Sequence, residues 1–289
     1  MDQNRSKLLS GMLSLEKIDD NVFRSDGPHI GGVVGPNRLF GGHVVAQTYD
    51  AVKKFVKNET TVFSLHYNFV STGDPLKAIH FELSRTDDII RVIASHDKKI
   101  IGLAHVKLGN ELLEPPKYVE DVPQLIELLE VTKQISKLPT DRLRKRYSLF
   151  QNKFIFDIRP HHLVTNPAPG DFRINYYARL HPTALEKAKA DDGLTVVIAL
   201  SDFFSLQSSQ NIINSSGYRL ASGASLHHKV MLHVSNVEVS QWFLVQSRTE
   251  LMSGNKAKIT GHIYNSNKDG ILTFIQEAYV VAAPPLSKI

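Results

Sequence analysis

Residues 38–52 read RLFGGHVVAQTYDAV, and how this stretch folds decides the rest of the chain. After the pair Gly41-Gly42, the residues Val44, Val45, Thr48, Ala51, Val52 and Phe55 recur at the spacing of one helical face. This predicts a helix opening at the glycines and running to Val56. Alternation typical of half-buried strands follows in Thr61–Val70, Ala78–Ser84, Arg91–Ser95 and Ile100–Leu108, with Thr72-Gly73-Asp74-Pro75 as a turn between the first two. A helix followed by antiparallel strands is a module of an α+β fold.

The same order recurs further along. Ser201-Asp202 opens a second predicted helix, FFSLQSSQNII, and strand-like runs occupy Ile174–Leu180, Thr195–Leu200, Val230–Val237, Gln241–Ser247, Lys256–Tyr264 and Ile271–Ala282. Asp269-Gly270 between the last two marks a hairpin. Gly42 and Asp202 both stand at predicted helix starts, and each is followed about 22 residues later by Ser-Leu-His, at 64–66 and at 225–227. A match at one offset of about 160 residues in both places indicates internal duplication. Between the copies, ELLEPP (111–116) breaks structure and PQLIELLEVTKQISKL (123–138) predicts one amphipathic helix. The division is therefore residues 1–109, a linker over 110–150, and residues 151–289.

Composition narrows the chemistry. The chain has 289 residues, 42% of them hydrophobic and 22% charged, as folded globular proteins do. It contains no cysteine, which removes disulfides, thiolate nucleophiles and cysteine-held zinc. The first residues carry no apolar core of signal-peptide length, and the longest aliphatic run, Leu194–Leu200, is far short of a membrane span, so a soluble protein is expected. A net charge of +5 suits an anionic partner, either nucleic acid or a phosphate-bearing small molecule. The densest basic run, Arg142-Leu143-Arg144-Lys145-Arg146, lacks the aromatic companions of an RNA-binding surface, so a nucleic-acid partner is not expected. There is no G-x-S-x-G elbow, no phosphate-binding glycine motif and no H-E-x-x-H among the 13 histidines. His161-His162 and His227-His228 are adjacent pairs whose side chains point to opposite faces of a strand, which disfavours a shared metal. No metal or cofactor is expected.

Two features remain. The N–H groups exposed at Gly41-Gly42 carry the positive end of a helix dipole and suit a carbonyl oxygen, although glycines there also serve plain turns and close packing. Asp202 sits among Leu200, Phe203 and Phe204, where an acid is either a helix cap or a functional group.

The stretches LEKIDDNVFRS (14–25), RLFGGHVVAQTYDAV (38–52), SLHYNFVSTGD (64–74), LSDFF (200–204), SLHH (225–228) and DGILTFIQEAYV (269–280) resemble the acyl-CoA thioesterase II family. The resemblance runs from about residue 14 to 282 with the linker unmatched, and R-x-F-G-G-x-x-V-x-Q and D-G-x-L-x-x-x-x-Q-E are its most specific parts. It implies a double-hotdog fold, each module a long helix wrapped by an antiparallel sheet. It also implies hydrolysis of medium- or long-chain acyl-CoA to a carboxylic acid and CoA by a held water. The aspartate, hydroxyl and glutamine of that chemistry fall on Asp202, Ser225 and Gln276, with serine where the family usually has threonine. Gly41, Gly42, His66 and Arg91 are the expected substrate-binding residues.

The chain departs from the family pattern at Phe63, where a histidine is usual, and around Arg91, where G-x-S-F-x-x-R is reduced to Arg91-Val92. These departures bear on CoA affinity and chain-length preference. They also raise the alternative of a catalytically weakened paralogue that binds acyl-CoA. Hydration of an enoyl thioester is a further rival, disfavoured by the missing D-x-x-x-x-H pattern. The ending Ser287-Lys288-Ile289 is close to a peroxisomal address and predicts an import receptor as partner and the peroxisomal matrix as location, with the cytoplasm as the alternative. Assembly into a homo-oligomer is left open.

Overall fold

Alternation in the second half of each module builds long strands, and their pairing joins the two modules into one sheet. The computed structural model describes residues 2–32, 35–57, 60–109, 154–163 and 172–285. The expected linker and its helix, the basic run at 142–146 and the tripeptide at 287–289 lie outside them. The first half contains α1 (Asp2–Leu13), β1 (Glu16–Asp19), β2 (Val22–Ser25), α2 (Gly41–Phe55), β3 (Thr61–Phe69), β4 (Ile79–Thr86), β5 (Ile89–His96) and β6 (Lys99–Gly109). The second contains β7 (Phe156–Leu163), β8 (Ile174–Leu180), α3 (Pro182–Leu185), α4 (Gly193–Ser201), α5 (Gln207–Ser215), β9 (Arg219–Leu232), β10 (Phe243–Ser253), β11 (Lys256–Tyr264) and β12 (Gly270–Ala283).

The sheet has 12 strands in the order β1-β2-β4-β5-β6-β3-β9-β12-β11-β10-β8-β7. Read outward from the middle, both halves follow one connectivity, β3-β6-β5-β4-β2-β1 against β9-β12-β11-β10-β8-β7, which is a duplication related by a pseudo-two-fold axis. The seam is antiparallel, with Leu65 opposite Val230 and Tyr67 opposite His228. Helix α2 crosses β3 to β6, buries Gly42 through Val52 without a break, and packs against α4. Helix α1, which no periodicity announced, buries Leu9 and Met12 and reaches into the second half, where the Arg5 Nε–H donates to the Phe154 carbonyl at 3.0 Å.

Two expectations need correction. Thr195–Leu200, read as a strand, belongs to helix α4, whose nine residues are all buried. A helix apolar on every side has no amphipathic period, and its β-branched residues imitate a core strand. The helix expected to open at Ser201-Asp202 does not start there either. Asp202 follows the end of α4, the chain turns over Asp202–Leu206, and α5 begins at Gln207. Phe204 enforces the turn with a left-handed backbone, φ 58°, which no α-helix accommodates.

Candidate active site

The turn that ends α4 delivers Asp202 to the junction of the two halves. The Tyr176 hydroxyl donates to the Phe203 carbonyl at 2.6 Å, and the Ser205 hydroxyl to the Asp202 carbonyl at 3.0 Å, so the strained residue is pinned from both sides. The carboxylate then accepts hydrogen bonds from different elements. Gly42 N–H at the start of α2 donates to Oδ2 at 2.8 Å, and Gln276 Nε2–H on β12 donates to Oδ1 at 2.6 Å. Gln276 Nε2 also donates to Ser225 Oγ on β9 at 2.5 Å. Asp202, Ser225 and Gln276 thus converge at one point, with Asp202 buried, Gln276 fully so, and Ser225 half-exposed as the open side.

Burial pushes the Asp202 carboxyl up to about 6, against hydrogen bonds from Gln276, Gly42, Ser205 and Ser225 that favour its charged form. It is therefore ionised at neutral pH yet basic enough to accept a proton. Gln276 Oε1 is buried and has no partner among the described residues. The Ser225 hydroxyl, which accepts from Gln276, has its own hydrogen to give to Asp202.

The glycine pair behaves differently from expectation. Gly42 N–H is spent on Asp202 and does not wait for a ligand. A Cβ on Gly41 would lie 2.6 Å from Asp202 Oδ2, and one on Gly42 would lie 2.4 Å from the Ala199 carbonyl oxygen of α4. The pair lets the two helices and the acid approach each other, and the helix end serves the carboxylate.

His66 and Arg91 are not brought to this point. Leu65 and Tyr67 face the core, so His66 projects from the outer face of the sheet, where its ring lies 5.7 Å from that of His227. Arg91 is opposite His105, His105 opposite His66, and His66 opposite Lys229, forming one basic row across that outer face. Strict alternation puts this row on the side of the sheet away from Gln276. The structure thus places His66 and Arg91, both expected to bind substrate, apart from Asp202, Ser225 and Gln276. His227 and His228 do point to opposite faces, and His228 lies wholly inside. Among the described residues no group of three or more His, Asp or Glu is placed to hold a metal ion, and no helix is long and apolar enough to cross a membrane.

Comparison with known proteins agrees with this architecture. Acyl-coenzyme A thioesterase 8 of Homo sapiens is 26% identical over 309 residues, covering 98% of this chain and 92% of the relative, and that of Rattus norvegicus is 26% identical over 306. The chain is similar to acyl-CoA thioesterases along nearly its whole length and has a double-hotdog fold. Among solved structures, an acyl-CoA thioesterase II from Mycobacterium marinum superposes with a TM-score of 0.70 at 19% identity, over 97% of this chain and 100% of that one. A hot dog fold protein from Alicyclobacillus acidocaldarius gives 0.69 at 15% identity, over 96% and 98%. At such identities these structures speak for the fold alone. No family model matches the chain.

The fold also buries histidines whose neutral form it favours. His43, beside Gly42, is wholly buried, with Nε2 3.1 Å from His29 Nδ1. Burial holds His43 well below the ordinary imidazole range with His29 adding to it, burial likewise lowers His29, and it brings His228 to about 3. In all three the fold favours the neutral form, whereas the unfolded chain takes up their protons near pH 6.5. Asp202 acts with the opposite sign, because between its unfolded value of 3.8 and about 6 the folded state holds the extra proton. Asp50 and Asp192, also raised by burial, act with Asp202, and His66 and His233, also lowered by burial, act with the other histidines, so five histidines oppose three aspartates. The unfolding free energy, and with it the denaturant midpoint, is expected to fall as pH drops from 7 to 5, the free energy by about 1.4 kcal/mol per pH unit for each uncompensated proton. A flat midpoint over that range would refute the linkage.

Proposed function

We propose that the chain is an acyl-CoA thioester hydrolase working by a water that Asp202 activates, with Ser225 and Gln276 as its guides. The observation that carries this reading is the buried carboxylate held by Gly42 N–H and Gln276 Nε2 beside the half-exposed Ser225 hydroxyl. Ionised Asp202 takes a proton from water while the water oxygen bonds to the thioester carbonyl carbon. The Ser225 hydroxyl can orient the water, or turn its hydrogen from Asp202 to the oxygen on which negative charge develops. Collapse of the tetrahedral adduct breaks the carbon–sulfur bond, and the departing thiolate of CoA recovers the proton from Asp202 or solvent. The products are a carboxylic acid and the free thiol, with no covalent enzyme intermediate.

The test is a panel of acyl-CoA thioesters assayed for free thiol. Absence of thiol release across the panel sinks the hydrolase reading, and saturable binding without release would favour an acyl-CoA binding protein. Preference for medium or long acyl chains and a peroxisomal setting are the finer parts of the proposal. The panel decides the first and a fluorescent fusion of the full chain the second.

The acid also fixes a pH dependence. Because the base must be ionised, kcat/KM is expected to rise with pH through about 6 and level off above it. A rate that stays constant down to pH 5 would exclude Asp202 as the base.

A further inference from the structure

His228 is a fully buried imidazole that the water-activating set does not use. It stands on β9 directly opposite Gln276 of β12, and its ring stacks on Phe274 with centroids 5.8 Å apart. Its Nε2 lies 2.8 Å from the hydroxyl of Ser201, the last residue of α4 and the one that precedes Asp202. Ser201 Oγ spends its only hydrogen on the Ile198 carbonyl at 2.7 Å, so it accepts from His228, which must carry its proton on Nε2. The other ring nitrogen, Nδ1, is then a buried acceptor with no partner among the described residues.

That arrangement is costly as core packing. Ser201 is already satisfied within its own helix, and an apolar side chain at 228 would avoid burying an acceptor unpaired. What the imidazole adds is a link between the end of α4, which delivers the acid, and the strands that deliver Ser225 and Gln276. We propose that His228 is a positioning residue: through Ser201 it sets where Asp202 stands against Ser225 and Gln276. This rests on the hydrolase reading above.

The test uses the full chain with His228→Leu, His228→Gln and Ser201→Ala, assayed for thiol release across pH beside the wild type and Asp202→Asn. His228→Leu is expected to lower kcat by about 10- to 100-fold with KM nearly unchanged, as a displaced catalytic group does. It should also move the acid limb of kcat/KM to higher pH, because loosened hydrogen bonds no longer hold the Asp202 carboxyl down. His228→Gln, whose amide nitrogen reaches the position of Nε2, should recover most of kcat. Ser201→Ala should act in the same direction and add little to His228→Leu. Should His228→Leu fail to fold, Ser201→Ala, which removes one hydroxyl, decides the matter alone. Variants that melt earlier but keep the wild-type kcat and acid limb overturn the positioning role. In that case an active wild type and a silent Asp202→Asn leave the hydrolase reading standing. A wild type that releases no thiol ends both.

Discussion

Asp202→Asn is expected to lower thiol release from acyl-CoA by about a thousandfold or more while the protein stays folded. General base chemistry contributes typically about 10²–10⁴-fold, and among the described residues no second carboxylate bonds to Gln276 or Ser225 to take over. The change keeps the shape of the side chain but replaces one acceptor with a donor. Either Gly42 N–H or Gln276 Nε2–H then loses its partner. Against that loss, the variant no longer holds a buried charge. The rise of the carboxyl from 3.8 to about 6 corresponds to a cost on the order of 3 kcal/mol at neutral pH. The two effects oppose each other, so the melting temperature at pH 7.5 should change little. Near-normal turnover in this variant, with the fold intact, would rule out the mechanism.

Gly41→Ala is the second large effect. A Cβ at this position would lie 2.6 Å from Asp202 Oδ2 and 3.1 Å from the Phe69 ring. The ring and the carboxylate cannot both stay in place, and the carboxylate oxygen, in the closer contact, is the one that must shift. A displacement near 1 Å in a catalytic group costs about 10²-fold in rate, so kcat should fall by roughly that factor. Overpacking of this kind lowers stability by about 1–3 kcal/mol. Kinetics at a temperature well below the melting point separates the two consequences. A variant with kcat within twofold of wild type would show that the close approach of Gly41 to the acid has no bearing on turnover.

Much of the fold was legible because the elements that face water on one side advertise it. Helix α2 and strands β3, β4, β6, β8, β11 and β12 all carry a period, and the glycine pair marked where α2 begins. Strand β9 starts well before Val230, because Arg219–Ala224 is largely exposed on both faces and does not alternate. Helix α4 was misread for the opposite reason, since burial on every side leaves no period to detect. The site was reached through resemblance rather than spacing. Gln276 lies 74 residues from Asp202 and 51 from Ser225, and no local pattern brings such positions together. The place of His66 was legible, because apolar Leu65 and Tyr67 on either side already assign it to the outer face. The inward course of His228 was equally available from Val230 and Leu232. Arg91 carried no comparable warning until its row across the sheet was seen.

The bond from Gly42 N–H to Asp202 Oδ2 joins a backbone in the first half of the chain to a carboxylate in the second. Basicity at this acid is consequently a shared property of both copies, and neither owns it. A slight slip between them would desert one carboxylate oxygen and alter its proton affinity long before either copy lost its own packing. The acid therefore doubles as a gauge of alignment, sensitive to movements that leave each hydrophobic interior untouched.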